Sequence, residues 1–478
     1  MSLTLKPYAE YKESGLPWLG KIPAHWSVRR AKQIFSPIDI RSKDGNEELL
    51  TVSSKDSVLP RSQKKVTMFK AESYVGYKLC WPGDLVINSL WAWARGFGFS
   101  RYHGIVSSAY GVYRPKPRFA PAFPYFDFLL RSDLYNWELH VRSKGIWISR
   151  LQLTDESFFD MPILVPPVDE AEKIAAYVKV QDLQIRKLIR VKRRMIELLN
   201  EQKQAIIQRA VTRGLDPNVR LKPSGVDMVG EIPEHWQTQR VRTFAHSIDQ
   251  GVSPQAEAGL AENGSWGVLK AGCANGGVFR EREHKKLPER FVFDSSIAIR
   301  EGDILVSRAC GSPKLVGSVA LVTELHYKLI LSDKTFRPNL HDHRLARFIV
   351  AAMNTPYFRV QVERAISGAE GLANNLPLSS LKDLRIVLPP VEEALAIADH
   401  LQIQSIELDK SISAASREID FLREYRTRLI ADVVTGKLDV RGVELPELND
   451  VEEVSDVEDD ELESFEELVA VEESTDAD

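Results

Sequence analysis

Residues 14–26 read SGLPWLGKIPAHW, and residues 224–236 read SGVDMVGEIPEHW. The two stretches share Ser-Gly, Gly, Ile-Pro and His-Trp at the same spacing, 210 positions apart. The tripeptide Pro-Pro-Val also occurs twice, at 166–168 and 389–391, an offset of 223 positions. The chain therefore contains two tandem copies of one module. Two copies are too few for a solenoid, so we expect a pseudo-twofold molecule with two similar but non-identical surfaces.

Length and composition are ordinary for a globular protein with several domains. The 478 residues have room for about three domains of roughly 150 residues. The chain is 44% hydrophobic and 27% charged, and it has no run of about 18 apolar residues that could span a bilayer. The first ten residues lack the apolar stretch of a signal peptide. Because Cys80, Cys273 and Cys310 are scattered without a CxxC pair, we expect a cytoplasmic protein without a zinc or redox site.

Charge is distributed unevenly along the chain. The formal net charge is -4, but the segment from Glu444 to Asp478 holds 17 acidic residues and no basic ones. The rest of the chain holds 50 acidic and 63 basic residues, a net charge of +13. A basic body is the electrostatic signature of a polyanion-binding protein, and DNA is the elongated partner that it indicates. We expect the acidic tail to be disordered and solubilising; the alternative is that it mimics DNA and shields the basic body.

Each Pro-Pro pair precedes a segment that is typical of one long helix, at about 169–212 and about 392–435. A 4-3 repeat of apolar residues runs along both segments and indicates either packing on the helix's own domain or a coiled coil. The matched length and register favour an antiparallel coiled-coil pair about 60 Å long. A glutamine recurs at the same seam position in both helices, as a polar residue that sets the register would. The predicted seam contains Ile174, Val178, Gln181, Ile185 and Leu188 in the first helix and Ile397, Leu401, Gln404 and Leu408 in the second.

The globular stretches, about 27–165 and 237–388, mix short strands with a few helices. The strand-like residues 85–87 follow a Pro-Gly-Asp turn and mirror 304–306, which follow Gly-Asp. The tetrapeptides VYRP, ending at Pro115, and TFRP, ending at Pro338, are likewise similar and indicate strands that stop at proline. Elsewhere the two stretches diverge. A shared framework with different loops is what we expect of two modules that recognise different targets.

The segment from Tyr11 to Trp26 resembles the opening of a target-recognition domain in the specificity subunits of type I restriction-modification systems. The copy from Lys222 to Trp236 resembles the opening of the second such domain, and the Pro-Pro helices are similar to the family's two long helical regions. The resemblance covers roughly residues 8–440. The chain departs from the family at the starts of the helices, where Glu170-Ala171 and Glu393-Ala394 replace a common Glu-Gln pair, and in its acidic extension.

The resemblance implies a mixed α/β (α+β) fold that is pseudo-twofold. Two tandem target-recognition domains would be joined and spaced by two long antiparallel coiled-coil helices. The implied segments are a first recognition domain at 1–165, a first helix at 166–215, a second recognition domain at 216–388, a second helix at 389–440 and an acidic tail at 441–478.

The resemblance also implies a non-catalytic subunit of a larger complex. Its partners would be two adenine-N6 methyltransferase subunits and, for cleavage, two ATP-driven motor-nuclease subunits, with no membrane. Each recognition domain would read one half of a bipartite site in double-stranded DNA. The two helices would set the spacer between the halves and dock the methyltransferase subunits.

Motifs of catalysis and cofactor binding are missing or weak. The methyltransferase motif Asn/Asp-Pro-Pro-Tyr/Phe does not occur, and 434–437 lacks the upstream glycine of a phosphate-binding loop. Gly96-Phe97-Gly98 alone is a weak signal for nucleotide binding. His25 and His235 stand beside tryptophans of the repeat, which favours a structural role, and 341–343 is typical of a solvated loop rather than a metal site. The sequence therefore predicts no catalytic residue, cofactor or metal.

Candidates for DNA contact are basic residues that alternate with aromatic ones or border glycine-containing turns. Those in the first module are Arg61, Lys64, Lys65, Trp91, Trp93, Arg95, Arg101 and Tyr102. Those in the second module are Lys270, Arg280, Arg282, Arg308 and Lys314. The alternatives are that the tryptophans are core residues of a strand and that the basic residues are solvated. The sequence does not divide the candidates between phosphate contacts and base contacts.

The first long helix carries six basic residues between 186 and 194 with no acidic residue among them. Arg186, Arg190 and Arg193 fall on one stripe of that helix. Like charges at this spacing repel one another, which favours an acidic partner over a merely solvated face. We hypothesise that the stripe contacts the backbone of the spacer DNA or an acidic face of a methyltransferase subunit. A function of another class stays open, namely a protein-assembly scaffold with incidental DNA contact.

Overall fold

The computed structural model describes residues 5–53, 57–63, 73–145, 151–262, 264–366 and 374–445. These residues form two compact units. The first unit contains the described residues up to Arg193 together with those from Arg417 onward, and the second contains those from Arg194 to Ser416. Each unit therefore combines one globular module with parts of two long helices.

The first unit is a mixture of short strands and helices. Its strands are β1 (Tyr11–Glu13), β2 (Lys21–Pro23), β3 (Ser27–Arg30), β4 (Phe35–Pro37), β5 (Leu50–Ser53), β6 (Ser57–Pro60), β7 (Lys78–Cys80), β8 (Leu85–Ile87), β9 (Phe97–Phe99), β10 (Gly104–Val106), β11 (Gly111–Pro115) and β12 (Pro162–Val165). Its helices are α1 (Ala31–Ile34), α2 (Phe123–Arg131), α3 (Asp133–Arg142), α4 (Asp155–Phe159) and the first part of α5 (Val168–Arg213).

The second unit has the same mixed character. Its strands are β13 (Leu221–Pro223), β14 (Glu231–Pro233), β15 (Gln237–Arg240), β16 (Ala245–Gln250), β17 (Trp266–Leu269), β18 (His284–Lys286), β19 (Ile304–Ser307), β20 (Ala309–Cys310), β21 (Val319–Leu321), β22 (Lys328–Ile330), β23 (Thr335–Leu340), β24 (Asn374–Asn375) and β25 (Arg385–Leu388). Its helices are α6 (Val241–Phe244), α7 (Ala346–Met353), α8 (Pro356–Ala365), α9 (Leu378–Asp383) and the first part of α10 (Val391–Val434).

Each unit contains a four-stranded antiparallel sheet with an equivalent strand order. The order is β4-β11-β8-β9 in the first unit and β16-β23-β19-β21 in the second. The strands that the sequence matched in pairs, β8 with β19 and β11 with β23, occupy equivalent places in the two sheets. In addition, β3 pairs with β12 and β15 pairs with β25, which joins the start of each module to the strand before its Pro-Pro pair. The predicted repeat of one module is therefore confirmed.

The repeated motif at 14–26 and 224–236 contributes a short hairpin in each unit. β1 pairs with β2, and β13 pairs with β14. Gly20 and Gly230, between the paired strands, have φ values of 69° and 71°, a left-handed conformation that favours glycine because it lacks a Cβ. The tryptophans that close the motif, Trp26 and Trp236, are completely buried. The motif is thus a hairpin turn followed by a tryptophan that packs in the core.

The core of each unit is built mainly from aromatic and branched side chains. In the second unit, Trp236 and Phe336 belong to one buried cluster that also includes Ile397 from the start of α10. In the first unit, the rings of Phe35 and Phe158 are completely or almost completely buried and their centroids lie 5.8 Å apart. Burial of each such side chain contributes about 1.5–3 kcal/mol. The beginnings of the long helices are therefore part of the module cores.

The two long helices are confirmed, and each lies within one residue of its predicted bounds. They pack against each other in antiparallel fashion. In the first unit, Asp182 pairs with Arg426, and the Lys192 Nζ lies 2.5 Å from the Glu418 Oε2. In the second unit, the Lys203 Nζ lies 2.7 Å from the Asp409 Oδ1. Among the described residues, no helix is both long and apolar enough to cross a membrane.

The predicted seam is buried near the start of each helix, but further along α5 the buried face shifts to neighbouring residues. The seam residues that are less than a tenth exposed are Ile174, Val178, Ile185, Ile397 and Leu401. Leu188, which was expected on the seam, is instead 50% exposed, and its neighbour Ile189 is 7% exposed. The reason is that a straight helix has 3.6 residues per turn, so a strict heptad rotates away from the partner.

The seam glutamines have local rather than cross-helix partners where their contacts are described. The Gln181 Nε2 donates to the Gln184 Oε1 of the same helix at 3.4 Å. Gln404 and Leu408 are half-buried. Charged pairs between the two helices, among them those of Asp182, Lys192 and Lys203, show the antiparallel register.

Candidate nucleic-acid interface

Five of the candidate DNA-contact residues lie in equivalent hairpin loops of the two sheets. In the first module, β8 pairs with β9, and the loop between them holds Trp91, Trp93 and Arg95. In the second module, β19 pairs with β21, and the loop between them holds Arg308 and Lys314. Because β8 corresponds to β19 and β9 to β21, the sequence selected the same structural position twice. The two loops differ in length and in chemistry.

The loop of the first module presents an aromatic pair. Trp91 is 57% exposed and precedes a short 3-10 helix, Ala92–Ala94. Its ring stacks on Trp93 with a centroid distance of 6.0 Å and an interplanar angle of 16°. The Trp93 indole Nε1 donates to the Leu90 carbonyl at 3.0 Å. The alternative that these tryptophans are core residues of a strand is therefore wrong, because they lie in a loop and Trp91 is largely solvent-accessible.

Arg95 has partners inside the protein. Its backbone is left-handed, with a φ of 61°. Its guanidinium Nη2 forms a close ion pair with Asp133, the first residue of α3. The neighbouring Trp93 ring meets the His140 ring of the same helix edge to face, 5.9 Å between centroids. Helix α3 therefore holds the loop from one side.

The Gly96-Phe97-Gly98 pattern has a steric explanation. A Cβ on Gly96 would lie 2.7 Å from the Trp91 Cβ, and a Cβ on Gly98 would lie 1.8 Å from the Ser57 Oγ. Both distances are shorter than van der Waals contact. The glycines are needed for close packing around β9, which leaves no reason to connect them with nucleotide binding.

The remaining candidates of the first module differ in accessibility. Arg101 is exposed, whereas Tyr102 is half-buried and packs against an apolar cluster that includes Val86 and Val112. Arg61 is half-buried in a short 3-10 turn and is not free of contacts within the protein. Lys64 and Lys65 lie outside the described residues.

In the second module, Arg308 is tied to its own sheet. Its Nη1 donates to the Asp333 carbonyl at 2.8 Å, and its guanidinium lies 5.8 Å from the centroid of the Phe336 ring. Lys314, in the same loop, is exposed. The two residues therefore have different environments although they share one loop.

The other three basic candidates flank a 3-10 segment, Ala271–Gly277, that packs against β19 and β21. Lys270 is half-buried at the start of this segment. The Arg280 Nη1 donates to the Asn275 carbonyl at 2.6 Å, while Arg282 is exposed. The segment that these three residues flank therefore packs against the strand pair whose loop carries Arg308 and Lys314.

A buried ion pair recurs in the two sheets, and the sequence comparison did not identify it. The Arg114 guanidinium donates to both oxygens of the Asp84 carboxylate, at 2.7 and 2.8 Å, and Asp84 is only 1% exposed. Donating these hydrogen bonds to the Asp84 carboxylate raises the pKa of Arg114. In the second module, the Arg337 Nη1 lies 3.1 Å from the Asp303 Oδ2. The signal was present, since each pair consists of a Gly-Asp turn and an Arg-Pro strand end.

The repeated histidine and tryptophan bind a glutamate in the first turn of a long helix. The Glu170 carboxylate accepts from the Trp26 Nε1 at 3.0 Å and from the Tyr8 hydroxyl at 2.7 Å, and it lies 2.7 Å from the His25 Nε2. Burial and the adjacent Glu170 carboxylate raise the pKa of Tyr8. We call this arrangement of Tyr8, His25, Trp26 and Glu170 the glutamate clasp of the first unit.

The second unit has an equivalent glutamate clasp, formed by His235, Trp236 and Glu393. The Trp236 Nε1 donates to the Glu393 Oε2 at 3.0 Å, and the His235 Nε2 lies 2.8 Å from the same oxygen. The structural role expected for the two histidines agrees with these contacts. The glutamates are the first members of the two Glu-Ala pairs, Glu170-Ala171 and Glu393-Ala394.

The basic residues of the stripe on α5 have partners within the protein. The Arg186 Nε lies 3.0 Å from the Asp182 Oδ2, one turn earlier on the helix, and Asp182 also pairs with Arg426. Arg190 and Arg193 are likewise engaged in contacts within the protein. The premise of unrelieved repulsion is therefore wrong for Arg186, because an acid just before the stripe neutralises it.

The histidines near residue 342 do not converge with other metal-binding side chains. His341 lies against the His246 ring, with 5.5 Å between centroids, and His343 begins a short 3-10 helix. Within the part of the chain that the structure describes, no group of three or more His, Cys, Asp or Glu side chains could hold a metal ion.

Comparisons with known proteins give a consistent picture. No protein-family model matches the chain. The chain is 30% identical over 174 residues to the specificity subunit of the type I restriction enzyme EcoEI from Escherichia coli, a match that covers 36% of this chain and 29% of that subunit. It is 23% identical over 310 residues to the MjaVIII specificity subunit from Methanocaldococcus jannaschii, covering 64% of this chain and 68% of that subunit.

A solved structure shares the fold. It comes from work on complex assembly and conformational transition of a type I R-M system. The similarity has a TM-score of 0.64 at 16% sequence identity and covers 87% of this chain and 99% of that chain. The relatives are type I restriction enzyme specificity subunits, so the resemblance inferred from the repeated motif is confirmed. The predicted mixed fold with two modules and a pair of long antiparallel helices is confirmed as well.

Proposed function

We propose that this chain is the non-catalytic DNA-recognition subunit of a type I restriction-modification system. Residues 1–165 and 216–388 are its two target-recognition domains, and each reads one half of a bipartite site in double-stranded DNA. The observation that carries the proposal is the pair of equivalent hairpin loops, 88–96 and 308–318, on sheets of equivalent topology. One loop is aromatic and the other is not. Two such loops suit two half-sites of different sequence.

The exposed members of the candidate set are the first choice for DNA contact. Trp91 offers an apolar face that suits a thymine methyl group or an unstacked base, and Lys314 offers a charge that suits phosphate. Arg101 and Arg282 are exposed as well. The phosphate contacts would dominate affinity and make it depend on salt, while base-edge contacts would carry specificity.

The two long helices, 46 and 44 residues long, suit the role of a spacer. At 1.5 Å per residue each is on the order of 65 Å long. Half-sites on one face of DNA recur about every 34 Å, so helices of this length exceed the separation of two neighbouring half-sites. The helices would also dock two methyltransferase subunits, and two motor-nuclease subunits would join for cleavage. The complex would act in the cytoplasm.

One observation favours a protein-assembly scaffold as the second candidate. Trp137 and Val141, one turn apart on α3, are 51% and 57% exposed. Exposed apolar side chains at this spacing suit a protein partner. The two functions are not exclusive, but only recognition requires sequence-specific DNA binding.

The test is DNA binding by the chain together with its methyltransferase partner. A randomised duplex library is selected at several salt concentrations, and the affinity for selected and unselected duplexes is compared. DNA recognition predicts a steep fall of affinity with salt and a split sequence motif among the selected duplexes. Binding without sequence preference at any salt would leave the scaffold as the better account.

A further inference from the structure

The hairpin loop of the second module rests on one arginine side chain. The Arg359 guanidinium, on helix α8, donates to three backbone carbonyls of the 308–318 loop. The Nη1 donates to Lys314 at 3.3 Å and more closely to Val316, and the Nη2 donates to Pro313 at 3.2 Å. Arginine suits this place because its planar group carries five donors in a fixed geometry.

Further contacts hold the loop close to the helices beside Arg359. Gly317 has a φ of 78°, and a Cβ at this position would lie 2.5 Å from the Val362 Cγ1 on the same helix. The side-chain amide of Asn354, just after α7, donates to the Val319 carbonyl at 2.6 Å and accepts from the Val319 N–H at 3.3 Å. The loop and the start of β21 are therefore held by consecutive contacts.

The first module holds its loop at the same place with different residues. Phe97 pairs with Ile87 just as Val319 pairs with Val306, so Phe97 and Val319 are equivalent. The Arg131 Nη2, at the end of α2, donates to the Phe97 carbonyl at 2.5 Å, where Asn354 serves the second module. The part of the loop that precedes Phe97 is held in the first module by the ion pair between Arg95 and Asp133. The corresponding part of the second module's loop, before Val319, is held by Arg359. Both hairpin loops are thus held at equivalent places, but by different side chains. This indicates that the position of the loop matters for function.

We propose that Arg359 is a positioning residue for sequence recognition by the second module. It fixes the backbone of the 308–318 loop against α8 and thereby presents Lys314 and its neighbours in one conformation to the DNA. The inference rests on the proposed function. Without the guanidinium, the three carbonyls lose their donor and the loop samples other conformations. A displacement of about 1 Å is enough to spoil a geometry that depends on directed hydrogen bonds.

The experiment compares Arg359→Met with the unchanged chain in complex with its methyltransferase partner. Methionine keeps an unbranched apolar stem but removes all five donors. Arg364→Met is the matched control, because Arg364 lies on the same helix and pairs with Asp227 where both side chains are about two-thirds exposed. Arg359→Lys, which retains a charge but only one donor nitrogen, is the conservative variant. The readouts are hydrogen exchange of the amides at 312–319 and the DNA motif recovered by selection.

The proposal expects faster exchange in the loop of Arg359→Met and a loss of discrimination of about tenfold or more in one half of the motif. The other half of the motif and the control variant stay unchanged, and Arg359→Lys is intermediate in both readouts. A fold defect of the second module would instead speed exchange throughout that module and not in the loop alone. Should Arg359→Met fail to fold, the same comparison is made with Arg359→Lys.

Two results would overturn the proposal. Unchanged loop exchange in a folded variant would show that Arg359 does not hold the loop. Faster exchange with an unaltered motif would show that the loop position is irrelevant to recognition. If the unchanged chain selects no motif at all, the proposed function fails instead, and the exchange data still show whether Arg359 holds the loop.

Discussion

At the scale of single residues, buried carboxylates explain more of the repeated sequence than the DNA-contact candidates do. Glu170 has three hydrogen-bond partners in the first unit, and Glu393 has two in the second. Each glutamate also lies in the first turn of its helix, where a negative charge is favoured by the helix dipole. The histidine, tryptophan and glutamate are thus one device that ties each long helix to its module.

Replacing Glu170 by alanine tests the clasp of the first unit. The variant leaves the buried Trp26 and Tyr8 donors without an acceptor, and we expect a loss of about 3 kcal/mol in the free energy of unfolding. Glu172→Ala, at an exposed position in the same turn, should cost no more than about 0.5 kcal/mol. Glu393→Ala should cost less than Glu170→Ala, because the Glu393 side chain is 33% exposed and that of Glu170 only 4%. Urea unfolding measures the free energy of unfolding of all three variants. Equal losses in Glu170→Ala and Glu172→Ala would contradict a stabilising role of the glutamate clasp.

Thiol reactivity is a second prediction at this scale. Burial raises the pKa of Cys80 to about 11 and the pKa of Cys273 to about 12. A raised pKa leaves little thiolate at neutral pH, and the thiolate is the reactive form. We therefore expect iodoacetamide at pH 7.5 to modify the half-buried Cys310 first, as followed by peptide mass spectrometry. Rapid labelling of Cys273 in the folded chain would contradict the packing of the second unit.

At the scale of elements, the sequence predicted what local signals determine. The Pro-Pro pairs stop the preceding strands, and the helix bounds followed to within one residue. The glycine turns and the paired strands were recognisable for the same reason. The contacts of Arg359 with its loop and of Glu170 with Trp26 were not recognisable, because the partners are 45 and 144 positions apart. No local sequence pattern indicates contacts between residues so far apart. The prediction of Leu188 on the seam was wrong for a different reason, because a strict heptad repeat ignores the 3.6-residue turn of a straight helix.

The burial of the start of α10 leads to a prediction for that helix. Ile397 is completely buried in the core of the second unit, whereas Ile406 is 46% exposed further along the same helix. Ile397→Ala should destabilise the second unit by about 2–5 kcal/mol, since it removes buried methyl groups and leaves a cavity. Ile406→Ala serves as the control, with an expected change of about 0.5 kcal/mol or less. Thermal unfolding followed by calorimetry distinguishes them, and similar midpoints would contradict the described packing.

At the scale of the whole molecule, two units of equivalent design differ where they would meet DNA. Both units contain the four-stranded sheet, the Asp-Arg pair and the glutamate clasp. Their hairpin loops lie at equivalent places but differ in length and side chains. The sequence predicted the duplication and the basic body, because both are properties of composition and order. It did not divide the basic candidates by role. That division depends on whether a guanidinium is already bound to a carbonyl or carboxylate of the protein, as in Arg95 and Arg308.

We propose that this chain supplies the DNA sequence specificity of a methyltransferase. The most direct measurement is a genome-wide map of N6-methyladenine in cells that carry this chain with its cognate methyltransferase, compared with cells that carry the methyltransferase alone. We expect one split motif, methylated in both halves, that appears only when this chain is present. Identical maps from the two kinds of cell, although the subunits co-purify, would contradict it.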